Sequence, residues 1–294
     1  AVAPLANAFP VLATSEAGRL GQDDLLLYLP PHLALTAYQG DVRVFAEAAG
    51  SSLTLLPAAQ ARFELLAGRN VLVNASITQS DRDPASLPSA LAPVPDPYGV
   101  SRPEARLLHA ATPVHAGDAA PARIVALEGS VVGGRDSGGA SPLIDLSKPL
   151  DLRAGQDLRD LSLRVQHANT PDQSRVQVGR DLLYGAAAQR RDGDLLHVGG
   201  PGRLEVTAGR NIDLGVSGGI VSRGDLDNAN LPRGGADLVV TAAAGPNGVD
   251  YAGALTRLAA ALASADPDRR DAALWQARWL SGEAALAPES AAAV

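Results

Sequence analysis

An all-β fold is expected for this sequence: a right-handed parallel β-helix with a side insertion and a short α-helical cap at its C-terminal end. Three observations lead there. A short motif returns every 24–30 residues, apolar residues alternate strictly on either side of it, and the apolar content is aliphatic, with aromatics at only 3%. Large globular cores draw bulk from Phe, Tyr and Trp, whereas a narrow core built in thin layers needs only Ala, Val and Leu.

The recurring motif is an apolar alternation, often ending in Ala, then Gly, a polar residue or two, and a second alternation. Its copies are LALTAYQGDVRV (33–44), FELLAGRNVLV (63–73), RIVALEGSVV (123–132), LDLRAGQDLRDLSLRV (150–165), SRVQVGRDLLYG (174–185) and LEVTAGRNIDLG (204–215), with GGADLVVTAAAG (234–245) as a degenerate last copy. Alternation over four to six residues means short strands with one buried face. In FELLAGRNVLV, Phe63 and Leu65 share a face that Val71 and Val73 continue. The turn glycines, with Gly68 and Gly209 as the clearest, are expected to supply a bend with positive φ. Asn70, Asp157, Asp181 and Asn211 follow them and bond local backbone. A unit of this length cannot bury its own apolar face and must stack on neighbours. Roughly eight coils, about 4.8 Å apart, would make a rod on the order of 40 Å long.

The turn glycines Gly40, Gly68, Gly129, Gly155, Gly179 and Gly209 are separated by 28, 61, 26, 24 and 30 residues. The outlying gap equals two periods plus an excess, which falls in the Pro-, Ala- and Ser-rich stretch 78–122. That stretch reads as an insertion projecting from the side of the rod as a contact surface. The organisation is therefore a β-helix over 1–247 carrying the insertion at 78–122, then a helical tail over 248–294. In the tail Leu255, Leu258 and Leu262 lie on one stripe, Leu274, Trp275 and Leu280 supply a second with Trp279 beside it, and Asp266-Pro267 has the form of a helix start. The tail either covers the end of the rod, where strand edges would otherwise be unpaired, or begins a following module.

Composition excludes several functions. The net charge is −7, the basic residues are almost all Arg, and Lys148 is the single lysine, which reads as coding bias. No basic block points to nucleic acid. With no cysteine there is no thiolate zinc site, disulfide or Cys nucleophile. No apolar run has the length of a membrane span. The first residues lack the charged start of a signal peptide, so an export signal is expected elsewhere.

The motifs that could carry chemistry have plain scaffold readings. Arg223-Gly224-Asp225 is a candidate receptor-binding triplet of the integrin-ligand type, but it also suits a turn, with Gly224 at the bend and Asp225 capping it. Asp225/Asp227 and Asp192/Asp194 are spaced to share a strand face, as acid/base carboxylates on β-helix enzymes do; turn duty beside glycines explains them as well. His32, His109, His115, His167 and His197 show no metal-ligand spacing and are expected on solvated positions. No GxSxG elbow is present, and GGRDSGG (133–139) and GGPGR (199–203) lack the Lys-Ser/Thr of a phosphate loop. No catalytic residue, metal or cofactor is expected.

The run PGRLEVTAGRNIDLG followed by GGIVSRGDLDNANLPRGGADLVVTAAAG, together with LLAGRNVLVNASI and VGRDLLYGAAAQ, resembles the filamentous-haemagglutinin-type proteins of Gram-negative bacteria, in their distal repeat region. The resemblance spans about 30–285 and is weakest across the insertion. It implies a very large secreted or cell-surface exoprotein, exported through an outer-membrane β-barrel transporter by two-partner secretion. Members of the family act as adhesins, biofilm factors or stalks of contact-dependent toxins, and a host-cell or glycan receptor is the partner expected. The secretion module with its NPNL- and NPNG-type motifs is absent here; GPNG at 245–248 stands outside that context. The expected function is thus a structural or adhesive segment of a surface exoprotein; the alternative is a carbohydrate-active β-helix enzyme, a polysaccharide lyase or hydrolase.

Overall fold

A computed structural model describes residues 26–44, 52–86, 109–134, 141–185, 194–215, 217–244 and 251–280. The alternating segments form strands, and the strands come in threes. The first coil is β1 (Leu26–Leu29), β2 (His32–Ala37) and β3 (Val42–Val44); the second is β4 (Ser52–Leu55), β5 (Arg62–Ala67) and β6 (Val71–Val73). The third comprises β7 (Ser76–Gln79), β8 (Ala122–Ala126) and β9 (Val131–Gly133), and the fourth β10 (Leu143–Leu146), β11 (Leu150–Ala154) and β12 (Leu158–Arg159). Then follow β13 (Ser162–Gln166), β14 (Gln173–Val178) and β15 (Leu182–Leu183), and β16 (Asp194–Gly199), β17 (Arg203–Ala208) and β18 (Ile212–Asp213). A last coil holds β19 (Gly219–Gly224) and β20 (Asp237–Thr241).

Each strand pairs in parallel with its counterpart one coil on, which gives three sheets in the orders β1-β4-β7-β10-β13-β16-β19, β2-β5-β8-β11-β14-β17-β20 and β3-β6-β9-β12-β15-β18. This is a parallel β-helix. Seven coils lie among the described residues, where the sequence suggested eight. The motif copies are the β2–β3, β5–β6, β8–β9, β11–β12, β14–β15 and β17–β18 pairs, and the degenerate copy is β20. The strands of the first sheet form the remaining wall, of which the motif copies include only Ser162–Val165 of β13.

The core is a set of aliphatic columns. Leu35, Leu65, Ile124, Leu152, Val176 and Val206 stand in register through the second sheet. Ala37, Ala67, Ala126, Ala154, Val178 and Ala208 form the column beside them. From Leu65 to Val206 the first column is fully buried, each side chain contributing about 1.5–3 kcal/mol. Among the described residues Phe63 and Tyr184 are the buried aromatics. On the outer side of the same sheet Glu64, Arg123, Asp151, Arg175 and Glu205 alternate in charge coil by coil. Like charges directly opposite would repel, so this alternation favours the observed register.

The Gly-Arg-Asn/Asp turn has a different origin from the one expected. Positive φ occurs at Gly200, Gly202, Gly215, Gly219, Gly224 and Gly234, not at the glycines of the repeat. Gly68, Gly155, Gly179 and Gly209 each follow the inward Ala or Val that ends a strand of the second sheet. A Cβ at any of them would lie 2.1–2.3 Å from a carbonyl oxygen of the preceding coil. The residue type is set by how closely two coils approach. Tyr38 and Leu127 occupy the equivalent place in coils whose turn is one residue longer (Ala37 to Val42 and Ala126 to Val131, against Ala67 to Val71). Both side chains are thrown outward, 90% and 54% exposed. Gly40 and Gly129 therefore sit later in the turn than the other four.

The polar residues after those glycines form a ladder along the helix axis. Asp41 Oδ1 accepts the Asn70 amide N–H at 3.1 Å, Asn70 Oδ1 accepts that of Ser130 at 3.0 Å, and Ser130 Oγ that of Asp157 at 3.2 Å. Asp157 Oδ1 accepts the Asp181 amide at 3.2 Å, and Asp181 Oδ1 that of Asn211 at 3.2 Å. The arginine of each Gly-Arg-Asn/Asp turn reaches back one coil: Arg69 to Asp41 at 3.5 Å, Arg180 to Asp157 at 2.8 Å, and Arg210 to Asp181. The motif is thus one inter-coil joint, with glycine for close approach, arginine for the charge below and Asn or Asp for the next amide above.

The joint predicts acid lability. The Arg180 guanidinium, helped by Arg159 and the Asp181 amide, holds the buried Asp157 carboxyl far below the usual carboxylate range against the opposing effect of burial. The Asn70 side chain and amide lower Asp41. At Asp181 burial works upward, but Arg210 and Asn211 outweigh it. A depressed folded value stabilises the fold above the unfolded value of about 3.9 and is lost as pH falls below it. The contribution of these carboxylates to the urea midpoint is expected to hold from pH 7 to about 4.5 and drop below about pH 4. Asp157→Asn should flatten that drop, by on the order of 1 kcal/mol because both arginines are half-exposed.

The insertion is shorter than 78–122 and its described ends do not project. Thr78 and Gln79 belong to β7 and Ala122 opens β8. The first end is tied to the coil by the Ser80 amide, which donates to Leu55 O at 3.0 Å; the Ala110 amide donates to Asp81 O at 3.0 Å, joining the two ends, and Asn169 Nδ2 holds the second through Ala116 O at 3.0 Å. The strap 109–121 carries Asp118 to Lys148 Nζ, which also donates to Ala61 O at 2.9 Å. Lys148 is not explained by coding bias: it is 1% exposed and joins the strap to the corner between β10 and β11. Central insertion residues 87–108 lie outside the described set, as do residues 1–25, Asp192, 135–140 and 245–250.

The chain divides after Pro246 into two units, one residue before the expected boundary. The second contains α1 (Tyr251–Leu262) and α2 (Pro267–Leu280), which pack on each other. Asp266 caps α2 as expected, its Oδ1 accepting the Asp268 amide at 3.1 Å. The apolar stripes are only partly used: Ala273 is buried, while Leu255, Leu274 and Trp275 are exposed. The side chains of Trp279 and Leu280 lie outside the described set.

Candidate functional site

The outer face of the first sheet is where charged side chains gather. β10 presents Asp145, β13 presents Arg164 and Gln166, and β16 presents His197; Asp145, Arg164 and His197 are in register, one per coil. Period-two alternation forces this placement: Ile144, Leu163 and Leu196 point inward, so their neighbours must point out. Two excursions cover them. The insertion strap brings His109, and the 225–231 loop brings Asp227, Asn228 and Leu231, around a cleft of about 90 Å³.

The polar groups of the cleft bind one another. Arg164 Nη1 is 3.2 Å from Asp145 Oδ2. His197 Nε2 is 2.7 Å from Asp227 Oδ2, and Arg223 Nε is 3.1 Å from the same oxygen. His109 Nδ1 faces both oxygens of Asp81 at 2.8 and 2.9 Å, and its Nε2 faces the Asp227 carbonyl at 3.1 Å. Asn228 Nδ2 donates to Gln166 Oε1 at 2.9 Å, and Gln166 and Asn228 both donate to Asp81 Oδ2 at 3.3 Å. Asp81, Asp145 and Asp227 thus each face a cation or an N–H donor across the cleft.

The candidate triplet sits at the rim of this cluster. Arg223 is the next-to-last residue of β19 with its guanidinium on Asp227, Gly224 ends the strand, buried at φ +57° with its carbonyl accepting the Gly200 amide at 2.6 Å, and Asp225 begins the loop, half-buried. Asp225 and Asp227 lie past the strand end rather than on a common strand face, since β19 stops at Gly224. The histidines depart from expectation more widely. His32 is exposed, but His115, His167 and His197 are 4%, 0% and 4% exposed. His167 meets the turn at Pro201 and His197 meets Asp227 of the 225–231 loop, while His115 lies on the insertion strap itself, contacts that sequence spacing does not report.

A Ser/His contact elsewhere in the coil has a structural explanation. His167 Nε2 accepts from Ser174 Oγ at 2.7 Å, and its Nδ1 donates to the Pro201 carbonyl of the GGPGR turn at 2.8 Å. Ser174 Oγ in turn accepts the Leu150 amide at 3.0 Å. Both side chains are fully buried, and burial keeps His167 below its ordinary pKa and neutral. A nucleophile needs a path for substrate, and this pair has none. Among the described residues no group of three or more His, Cys, Asp or Glu is arranged to hold a metal ion.

Fold and site together define a class: a parallel β-helix with polar inter-coil ladders and a loop-covered charged face. No family model, curated protein or solved structure matches the chain. No described helix is long and apolar enough to cross a membrane.

Proposed function

We propose that this chain is a structural and adhesive segment of a large secreted bacterial surface exoprotein of the filamentous-haemagglutinin type. One observation carries the reading: the ladder from Asp41 to Asn211 runs unbroken through six coils and spends the acids and arginines of the repeat on joining one coil to the next. Such a stack grows by adding like units, each templated on the last. The repeated Gly-Arg-Asn/Asp turns that support the family resemblance are these joints. Arg223-Gly224-Asp225 is read as scaffold because Arg223 pairs with Asp227 and Gly224 is buried. The adhesive surface would be the insertion and the loops beside it, and export would use an outer-membrane β-barrel transporter.

The test is binding of the purified chain to epithelial cells and to a glycan panel, comparing wild type, Asp225→Ala and a variant with 87–108 replaced by a short Gly-Ser link. Adhesion through the insertion predicts loss only in the last. Loss only in Asp225→Ala would assign binding to the triplet, and binding by none would leave a spacer. A carbohydrate-active enzyme is the second reading, favoured by the meeting of Asp145, Arg164, His197 and Asp227 in one cleft. Release of reducing ends or unsaturated sugars from the panel would establish it and overturn the first.

A further inference from the structure

His109 stands between two excursions that belong to different coils. Its Nδ1 faces the Asp81 carboxylate at the start of the insertion, and its Nε2 faces the carbonyl of Asp227 in the 225–231 loop. A carboxylate and a carbonyl only accept hydrogen bonds, so both ring nitrogens must donate, and the ring that satisfies both is the imidazolium. A neutral ring has one N–H. The Asp81 charge retains it at Nδ1, and the Nε2 lone pair then faces the Asp227 oxygen, a repulsive contact.

We propose that His109 is a pH-operated staple: doubly protonated, it ties the insertion strap and the 225–231 loop together over the outer face of the first sheet, and on losing one proton to solvent it loosens the loop. The groups facing the cleft agree with a cation there. Asp81 beyond β7, Asp145 on β10 and Asp227 in the loop are acidic; Arg164 on β13, Arg223 on β19 and His197 on β16 lie against Asp145 or Asp227. Burial pulls the His109 pKa down, but the hydrogen bond and charge of Asp81, with the Asp227 carbonyl and the Asp145 charge, outweigh it and raise the group above its ordinary value. A raised folded value means the staple is complete below about pH 6.5 and is lost as pH rises through the folded pKa. The loop so controlled begins directly after Arg223-Gly224, so its release changes what the rim of the cleft presents.

The test is a pH titration of the full chain by ¹⁵N-imidazole NMR, with amide hydrogen exchange read at Ala110, Asn230 and Leu231. These amides donate to Asp81 O, Asn228 Oδ1 and Asn228 O, so they report the strap and the loop. The expected result is a doubly protonated His109 at pH 6.5 and a loss of protection at Asn230 and Leu231 of about tenfold between pH 6 and 9, the worth of one charged hydrogen bond. His109→Gln should remove the pH step, and Asp81→Asn should move it to lower pH. A neutral His109 tautomer at pH 6, protection indifferent to pH, or a step that survives His109→Gln would each overturn the proposal. The wild-type titration decides the matter even where a variant fails to fold.

Discussion

Asp118→Ala is expected to lower stability by about 3–5 kcal/mol, because it strands the Lys148 ammonium in a site that is 1% exposed. Among the described residues Asp118 is the one carboxylate paired with Lys148, and the Ala61 carbonyl, which Lys148 also meets, carries no net charge. Burial works to raise the Asp118 pKa, but the hydrogen bond from Lys148 and the amides of Ala61 and Ala120 overcome it and hold the carboxyl below its ordinary value. At about 2–4 °C per kcal/mol for a domain of this size, thermal unfolding should move down by roughly 10 °C. The informative comparison is Lys148→Met. Replacing a buried pair with an apolar group is often neutral, so Asp118→Ala/Lys148→Met should recover much of the loss. A double variant no more stable than Asp118→Ala would show that the strap is held by packing instead of by this charge.

Gly179→Val is expected to be the most damaging substitution in the repeat. An added Cβ stands 2.1 Å from the Gly155 carbonyl oxygen, and Gly179 O is in turn 2.1 Å from a Cβ built at Gly209. The neighbours are backbone, so no side chain can move aside; the coils must separate. The Gly179 and Gly209 amides also bond Ala154 O and Val178 O at 2.8 Å, so the separation stretches the ladder on both sides. A loss of about 3 kcal/mol or more is expected, measured by urea unfolding. In a stack with nearest-neighbour coupling the transition should also broaden as the two halves lose cooperativity. Gly117→Ala is the control: a Cβ there meets nothing within 4 Å, and the change should be neutral or mildly stabilising, by about 0.5 kcal/mol.

Much of the architecture was legible because it is local. Alternation around Gly68, Gly155, Gly179 and Gly209 marks the strands and the turn between two walls in four of the seven coils, and Asp266-Pro267 marks the start of α2. The first wall was harder to find. Ser52–Leu55, Ser76–Gln79 and Leu143–Leu146 are short, have no shared turn and are set off by linkers of varying length. The role of Lys148 was hidden for a different reason: its partner Asp118 is on the insertion, and nothing along the chain records where an insertion folds back. One clue was present. A lone lysine in a chain that otherwise uses arginine occupies a position where a compact ammonium and a guanidinium differ.

By itself the sequence determined the fold class, the period, the buried faces and the residue types of the inter-coil joint. These follow from backbone geometry within a few residues, and the period tells how often the geometry recurs. Only the tertiary structure decided why the glycines are glycine, and which of Asp81, His109, Asp145, Arg164, His197 and Asp227 share a cleft. Both depend on contacts between coils. Asp81 and His109 meet because the two ends of an insertion must rejoin one coil, and Asp227 reaches them because three later coils stack in register beneath its loop. Stacking converts separations of 28 and 118 residues into hydrogen-bond distances.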